Sequence, residues 1–455
     1  MRSHGLAADQ TILVAINTDP PAAAARARFA RGSRIVLLVL LLAWLSLVFW
    51  NSAKPLPPGT HIVSQVSRLS EADVDFVRES SPRPDRPARE MSAIDHAEQL
   101  IVVDRSPVSR ELGQHLLARK RARPNLRVVL VTDPGNEAFG GTPPERLSSL
   151  EESGIIVARV RLERLRDSNP LYSGLWRLMF SWWSDPFDET PGRITLPAWA
   201  RMQNFKADQR QLVVADDGSG GWAAIIGPAG ASAGLLLRGS LARAMIAGEL
   251  QIAAWSTDDD RLPAGPPMDG RGVGSIDARF LTEGAIEAAL LDAIAAAGSG
   301  DEISVAVQNL SDRRLITAAL DAAARGARLQ VLLARNAMPN QAVAGELLSG
   351  GGHVEVRWCP ADTGASLPKL LVVQHGNDLW MNVGSANFTR RNLGDLNLES
   401  SVELRMPAGA APARAVTKYF HEIWSNAAAG TDFADQRPAP YWRYRFAEAT
   451  GLSSF

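Results

Sequence analysis

Lys369 lies shortly before Ser385 and Asn387, the polar members of the run Gly384-Ser-Ala-Asn387. One ammonium and two short side chains with O–H and N–H donors suit the oxygens of an anion. An earlier stretch, Asn204-Phe-Lys-Ala-Asp-Gln209-Arg-Gln211-Leu-Val-Val-Ala-Asp216, offers Gln209, Gln211 and Asp216. In the later stretch Leu367 stands two residues before Lys369, and Gln374 five after it. A glutamine neither ionises nor shuttles a proton near neutral pH, and a leucine has no polar chemistry at all.

The histidines add little to these stretches. The chain has seven: His4, His61, His96, His115, His353, His375 and His421. His375 alone falls within either stretch. It opens the turn signal Gly376-Asn377-Asp378 and reads as a solvated turn residue. His96 and His115 sit in helical patterns as surface or core residues. Asp95, Asp104 and Asp133 have no sequence neighbours that nominate them. Each motif residue also has a plainer reading. Lys369 fits a surface lysine on a strand, and Ser385 and Asn387 fit side chains that satisfy turn backbone. Glu399 fits a residue that orders the loop. The segment Asp216-Asp-Gly-Ser-Gly-Gly221 is rich in turn residues.

These residues need a frame to bring them together. The body alternates short β-rich runs (100–103, 128–131, 155–160, 303–307, 329–333) with helical patterns, including one over 313–325, which predicts an α/β fold with a parallel or mixed sheet. The chain also repeats itself. Gln211-Leu-Val-Val is followed eleven positions on by Trp222, and Lys369-Leu-Leu-Val-Val likewise by Trp380. Each tryptophan opens an apolar run ending in glycine, Gly227 and Gly384. This predicts two α/β halves, 91–262 and 275–428, about a pseudo-twofold axis, with a site at the axis drawing on both.

Residues 35–53 carry no charge, and at 1.5 Å per residue they match the ~30 Å hydrocarbon core. Arg26, Arg28, Arg31 and Arg34 precede the run, and only Lys54 follows before Pro55, Pro57 and Pro58. The imbalance predicts a transmembrane helix with residues 1–34 cytoplasmic and the body outside the cytoplasm. A cleaved signal peptide and a buried core helix are the alternatives. The first lacks a clean cleavage site here, and the second lacks a polar face. Residues 54–90 read as a linker, and 429–455 as an aromatic and basic tail. Leu178-Met-Phe-Ser-Trp-Trp183, near Phe187, fits either core or a loop dipping into the membrane interface. The aromatic and basic run 441–446 fits a strand or an interfacial contact. One cysteine, Cys359, excludes a disulfide-stapled module. A net charge of −1 gives no overall attraction to nucleic acid, so no nucleic-acid partner is expected.

The two stretches resemble the half-motifs of the phospholipase D superfamily, H-x-K-x4-D followed by G-S-x-N. The block Gly384-Ser-Ala-Asn-Phe-Thr-Arg-Arg-Asn392 carries the resemblance most strongly. The tract 166–176, Thr132-Asp-Pro-Gly-Asn136 with Gly140-Gly141, and 441–455 resemble a bacterial, membrane-anchored, cardiolipin-synthase-like branch. The resemblance implies two phospholipase D-like halves after one transmembrane helix in a bacterial inner membrane, with the body periplasmic. It implies phospholipid as partner and phosphodiester chemistry without metal or cofactor. That chemistry uses two facing histidines, one as nucleophile and one as acid, while lysines and asparagines hold the phosphoryl oxygens. Carried over, the histidine positions hold Gln209 and Leu367, the lysine positions Gln211 and Lys369, and the aspartate positions Asp216 and Gln374. The first G-S-x-N becomes Gly227-Pro-Ala-Gly230. The expectation is a degenerate member that binds phosphate or phospholipid through Lys369, Ser385 and Asn387. An enzyme with altered catalytic residues and a ligand-free structural module are the alternatives.

Overall fold

A computed structural model describes residues 20–180, 199–425, 432–433, 442–443 and 446, except 81–82, 139–140, 201, 228–232, 268–269, 271, 336–337, 352 and 360–366. Its helices up to residue 180 are α1 (Pro20–Ser52), α2 (Asp85–His96), α3 (Arg110–Ala122), α4 (Gly135–Ala138), α5 (Pro144–Glu152) and α6 (Pro170–Phe180).

Two mixed sheets form the body. In order across the first sheet, the strands are β3 (Arg83–Pro84), β2 (Val74–Ser80), β9 (Ala233–Arg238), β8 (Trp222–Ile226), β7 (Leu212–Asp216), β4 (Leu100–Asp104), β5 (Arg127–Thr132) and β6 (Ile156–Arg159). The second runs β1 (Ser67–Leu69), β10 (Ile276–Thr282), β16 (Ser400–Pro407), β15 (Asp378–Gly384), β14 (Lys369–His375), β11 (Glu302–Val307), β12 (Arg328–Ala334), β13 (Val354–Cys359) and β17 (Asp432–Phe433). Each sheet holds one parallel trio, β4-β5-β6 and β11-β12-β13, joined by helical crossovers. Each then adds an antiparallel hairpin, β7-β8 and β14-β15. The predicted α/β class and two-half arrangement are therefore present.

Strands such as Leu100-Ile-Val-Val-Asp104 are buried along their whole length, because both sheet faces are covered. The largest core cluster draws on both sheets, with Val102 and Val214 from the first and Leu370 and Leu404 from the second. The helix Ser240–Ser256 contributes Leu241, Met245 and Ile252 to it. The outer faces are covered separately, by α2, α3 and α5 on the first sheet and by helices 284–296, 313–324 and 338–349 on the second.

The segment 54–90, expected as a linker, is instead built into the body. β1 pairs with β10 of the second sheet, β2 pairs with β9 of the first, and α2 begins at Asp85. Its prolines and arginines obscured a strand in which Leu69 is buried and Arg68 exposed. α1 is longer than the expected span, starting at Pro20 where proline suits a first turn. Arg28–Ser52 is long and apolar enough to cross a membrane, and almost all of it is uncovered by the body. Residues 181–183, 187, 228–230 and 441, each part of an expectation above, lie outside the described residues.

Candidate active-site cleft

The two hairpins place the two motif stretches against each other. The backbone of 207–209 pairs in parallel with Leu398: Leu398 N–H donates to Ala207 O (3.0 Å), and Gln209 N–H to Leu398 O (2.9 Å). Between the two glutamines Arg210 points the other way, as alternation along an extended chain requires. It is fully buried and bonds Glu249 of the first half (3.0 Å), Glu283 of the second (2.7 Å) and Gly59 O (2.7 Å). Burial disfavours its charge, but Glu283 and Glu249 more than offset this and hold its pKa well above the usual value. It therefore ties the two halves directly behind the site.

In front of it lies a cleft of about 350 Å³ lined by Gln209, Gln211, Lys369, Ser385 and Asn387, with Asp133, Asp208 and Ser106 among the other wall residues. Thus five of the sequence-predicted positions meet there, two from one half and three from the other.

Each is held by its neighbours. Lys369 starts β14 opposite Gly384, the last residue of β15. A Cβ at Gly384 would lie 2.2 Å from Ser400 O, so only glycine permits this approach of β15 to β16. Ser385 follows, donating its N–H to Ser400 O (2.8 Å) and its hydroxyl to Glu399. Asn387 accepts the Asn309 N–H (3.2 Å) through Oδ1. Thr389 caps the short helix Arg390–Leu393, which carries Asn392. Asn392 Nδ2 donates to both Glu399 and Gln209 Oε1, the latter at 2.9 Å. Gln209 is thus fixed by the opposite half. Gln211 accepts from Arg105 Nη1 (2.9 Å) and donates to Ser106 O (2.9 Å), while Arg105 is paired with buried Glu90 (2.6 Å).

Three motif positions do not reach the cleft. Leu367 is buried in the large core cluster and is not among the described lining residues. Asp216 ends β7 and accepts N–H groups from Glu98, Gln99, Leu100 and Gly218, a cap on the start of β4. Gln374 lies five residues along β14, ~17 Å from Lys369 at strand rise, in a separate surface pocket with Glu302, Arg328 and His421. His375 is exposed and pairs with Asp301 (2.7 Å). His96 and His115 are helical, bonded to Ser92 O and Asp95.

Asp133, set aside in the sequence, is on the cleft wall. It follows β5, and the carboxyl ends of parallel strands are where open α/β sheets bind ligands, a usable signal. Burial pushes its carboxyl up to about 6, although N–H groups of Asp208 and Gly135 favour the ionised form. Asp208 and Asp104 are also pushed well up by burial and by their acidic neighbours. Burial raises Glu399 to about 7 against the hydrogen bonds from Ser385 and Asn392.

Residues 290–424 match the family model for the cardiolipin synthase, PLD-like domain. That match lies within the second half and marks it as phospholipase D-like. Its fold is similar to that of a phosphatidylserine synthase of Haemophilus influenzae Rd KW20, with a TM-score of 0.54 at 11% identity over 91% of this chain and 98% of that one. A polyphosphate kinase of Porphyromonas gingivalis overlaps less well, with a TM-score of 0.47 at 11% identity over 83% of this chain and 53% of that one. Nuc of Salmonella typhimurium, a phospholipase D family member, gives 0.28 at 16% identity over 36% and 99%. No curated protein sequence matches the chain. The cleft between the two phospholipase D-like halves has one lysine, two glutamines and two carboxyls on its wall, and no histidine is among its described lining residues.

Proposed function

We propose that this phospholipase D-like protein is a membrane-anchored binder of phospholipid or phosphodiester headgroups whose phosphohistidine chemistry has been lost. The observation that carries this is the cleft lining. It brings Gln209 and Gln211 to face Lys369, Ser385 and Asn387, and no histidine is among the described residues lining it. In this reading α1 is the anchor and the arginines before it keep the N-terminus in the cytoplasm, so the body faces the periplasm of a bacterial inner membrane. Lys369 and the Asn387 side-chain amide receive the phosphate, and Ser385, whose hydroxyl donates to Glu399, braces the loop beside them. A charge-assisted contact is worth about 1.5–3 kcal/mol, while association costs at least ~4 kcal/mol in lost freedom. Free phosphate therefore binds at roughly millimolar or worse, and useful affinity comes from acyl chains or the bilayer surface.

The test is an assay of the full chain in detergent with phosphatidylglycerol and a generic phosphodiester, alongside lipid titration. The expected result is lipid binding weakened by Lys369→Ala, and no turnover. Turnover abolished by Lys369→Ala would overturn the loss of chemistry, and equal lipid affinity in both proteins would overturn the binding site. One observation favours a second reading, an enzyme with altered catalytic residues. Asp133, raised to about 6 on the cleft wall, is poised to act as a general base on water. That reading requires turnover lost in Asp133→Asn.

A further inference from the structure

α6 has two dissimilar sides. One is polar and bound to the body: Tyr172 donates to Ala200 O (2.8 Å), and Ser173 and Arg177 both bond Asp167. The other carries Leu171, Leu175 and Met179, spaced four apart on one stripe and 40%, 49% and 46% exposed. That much exposed apolar surface on one short helix calls for an occupant.

Its flank identifies the occupant. α6 packs on the apolar helix α1. Trp44 Nε1 donates to Leu171 O (2.9 Å), and a Cβ at Gly174 would lie 2.7 Å from Val48, so the helices touch backbone to side chain. Near the end of α1, Asp167 N–H donates to Asn51 O (3.1 Å). Contacts that pass from Asn51 back toward Trp44 as the chain advances from Asp167 into α6 make the two helices antiparallel. Trp44 lies eight residues before Ser52, ~12 Å along the helix axis. Any depth that α1 reaches in a bilayer over its last turns, α6 reaches beside it.

We propose that α6 is a re-entrant membrane helix, entering the outer leaflet alongside α1 and presenting Leu171, Leu175 and Met179 to acyl chains. The proposal rests on the reading of α1 as an anchor. At eleven residues α6 is ~16 Å long, about half the ~30 Å hydrocarbon core. Its one charged side chain, Arg177, forks onto Asp167, and paired charges are tolerated at the margin of a bilayer. The mouth of this helical hairpin also meets the cleft. Asn204 bonds Asp167 and Asn169, and Arg390 donates to Ser168 O (2.7 Å). Asn204 and Arg390 belong to the same chain segments as Gln209 and Asn387, so the base of α6 is tied to the stretches that line the cleft.

The test places one environment-sensitive fluorophore at a time on the full chain, in a Cys359→Ser background, reconstituted in phosphatidylglycerol and phosphatidylethanolamine vesicles with chain-labelled quencher lipids. Leu40→Cys reports on the anchor, Glu152→Cys on the exposed body, and Leu171→Cys, Leu175→Cys and Met179→Cys on α6. The expected result is loss of most emission at Leu40 and along α6, with quenching by deep labels increasing from 171 to 179, and none at Glu152. Quenching at Leu40 with α6 behaving like Glu152 overturns this inference and leaves the anchor standing. An unquenched Leu40 probe overturns the anchor reading and the inference with it. Using three positions on α6 keeps the result decisive if one variant folds poorly.

Discussion

The two halves share a frame and differ in what their hairpins bring to the cleft. In the second half, β14 and β15 deliver Lys369, Ser385 and Asn387, backed by the Ser385–Glu399–Asn392 network. In the first half, the segment leading into β7 delivers two amides, one held by Asn392 from across the cleft and the other by Arg105 and Ser106. The positions that the resemblance aligns with the half-motifs are placed in two ways. Gln209 and Gln211 keep the wall polar and hydrogen-bonded, whereas Leu367 has joined the apolar core. The polar side chains line the cleft, and the apolar one lies in the core.

The largest effect should come from the residue joining the halves. Arg210→Met leaves Glu249 and Glu283 buried without their cation, and breaking such a pair costs about 3–5 kcal/mol. Denaturant unfolding should show this loss, and a change below ~1 kcal/mol would mean that the halves are held by apolar contacts alone.

Binding should divide unequally. Lys369→Ala should weaken anionic lipid binding by about 1.5–3 kcal/mol, and Gln211→Ala by no more than about 1 kcal/mol, because a charge-assisted bond exceeds a neutral one. Titration with short-chain phosphatidylglycerol measures both. Equal losses would erase the contrast between the halves.

Stability against pH separates them again. The native Asp133 carboxyl stands at about 6 and Glu399 at about 7, both above their unfolded values near ~4. Across that gap the native state holds protons that the unfolded state has released. Each group's contribution is therefore greatest below the unfolded value and falls as pH rises, by up to ~1.4 kcal/mol per pH unit. Asp133→Asn should flatten the slope between roughly 4 and 6, and Glu399→Gln that between roughly 4 and 7. Unfolding curves over this range decide it; unchanged slopes would place both carboxyls in water.

The smallest effect belongs to His375→Ala. Its pair with Asp301 is surface-exposed and should add little to stability by denaturant unfolding, with lipid binding unchanged. Weakened binding in this variant would place the lipid far from Lys369.

Much of this molecule was legible in order along the chain. Strand-length runs of Val, Ile and Leu specify β4, β5, β11 and β12, since such runs suit strands covered on both faces. The repeated tryptophan and glycine spacing specifies two hairpins, and the uncharged run after four arginines specifies a helix able to span a bilayer. The Gly-Ser-x-Asn block carries the resemblance to the superfamily and points to polar residues that line the cleft. These signals are local, because periodicity and turn chemistry act within a few residues. What joins distant residues was not legible. β1 and β2 look like linker until β10 and β9 supply their partners. Asp133 acquires its raised pKa from burial, and Arg210 its role from Glu249 and Glu283, all consequences of packing between segments far apart in sequence. Asp216 and Gln374 keep motif spacing yet lie away from the cleft, because a strand at ~3.3 Å per residue carries its far end out of reach. α6 reads as ordinary amphipathic helix, and only its docking on Trp44 and Val48 decides which solvent its apolar stripe meets.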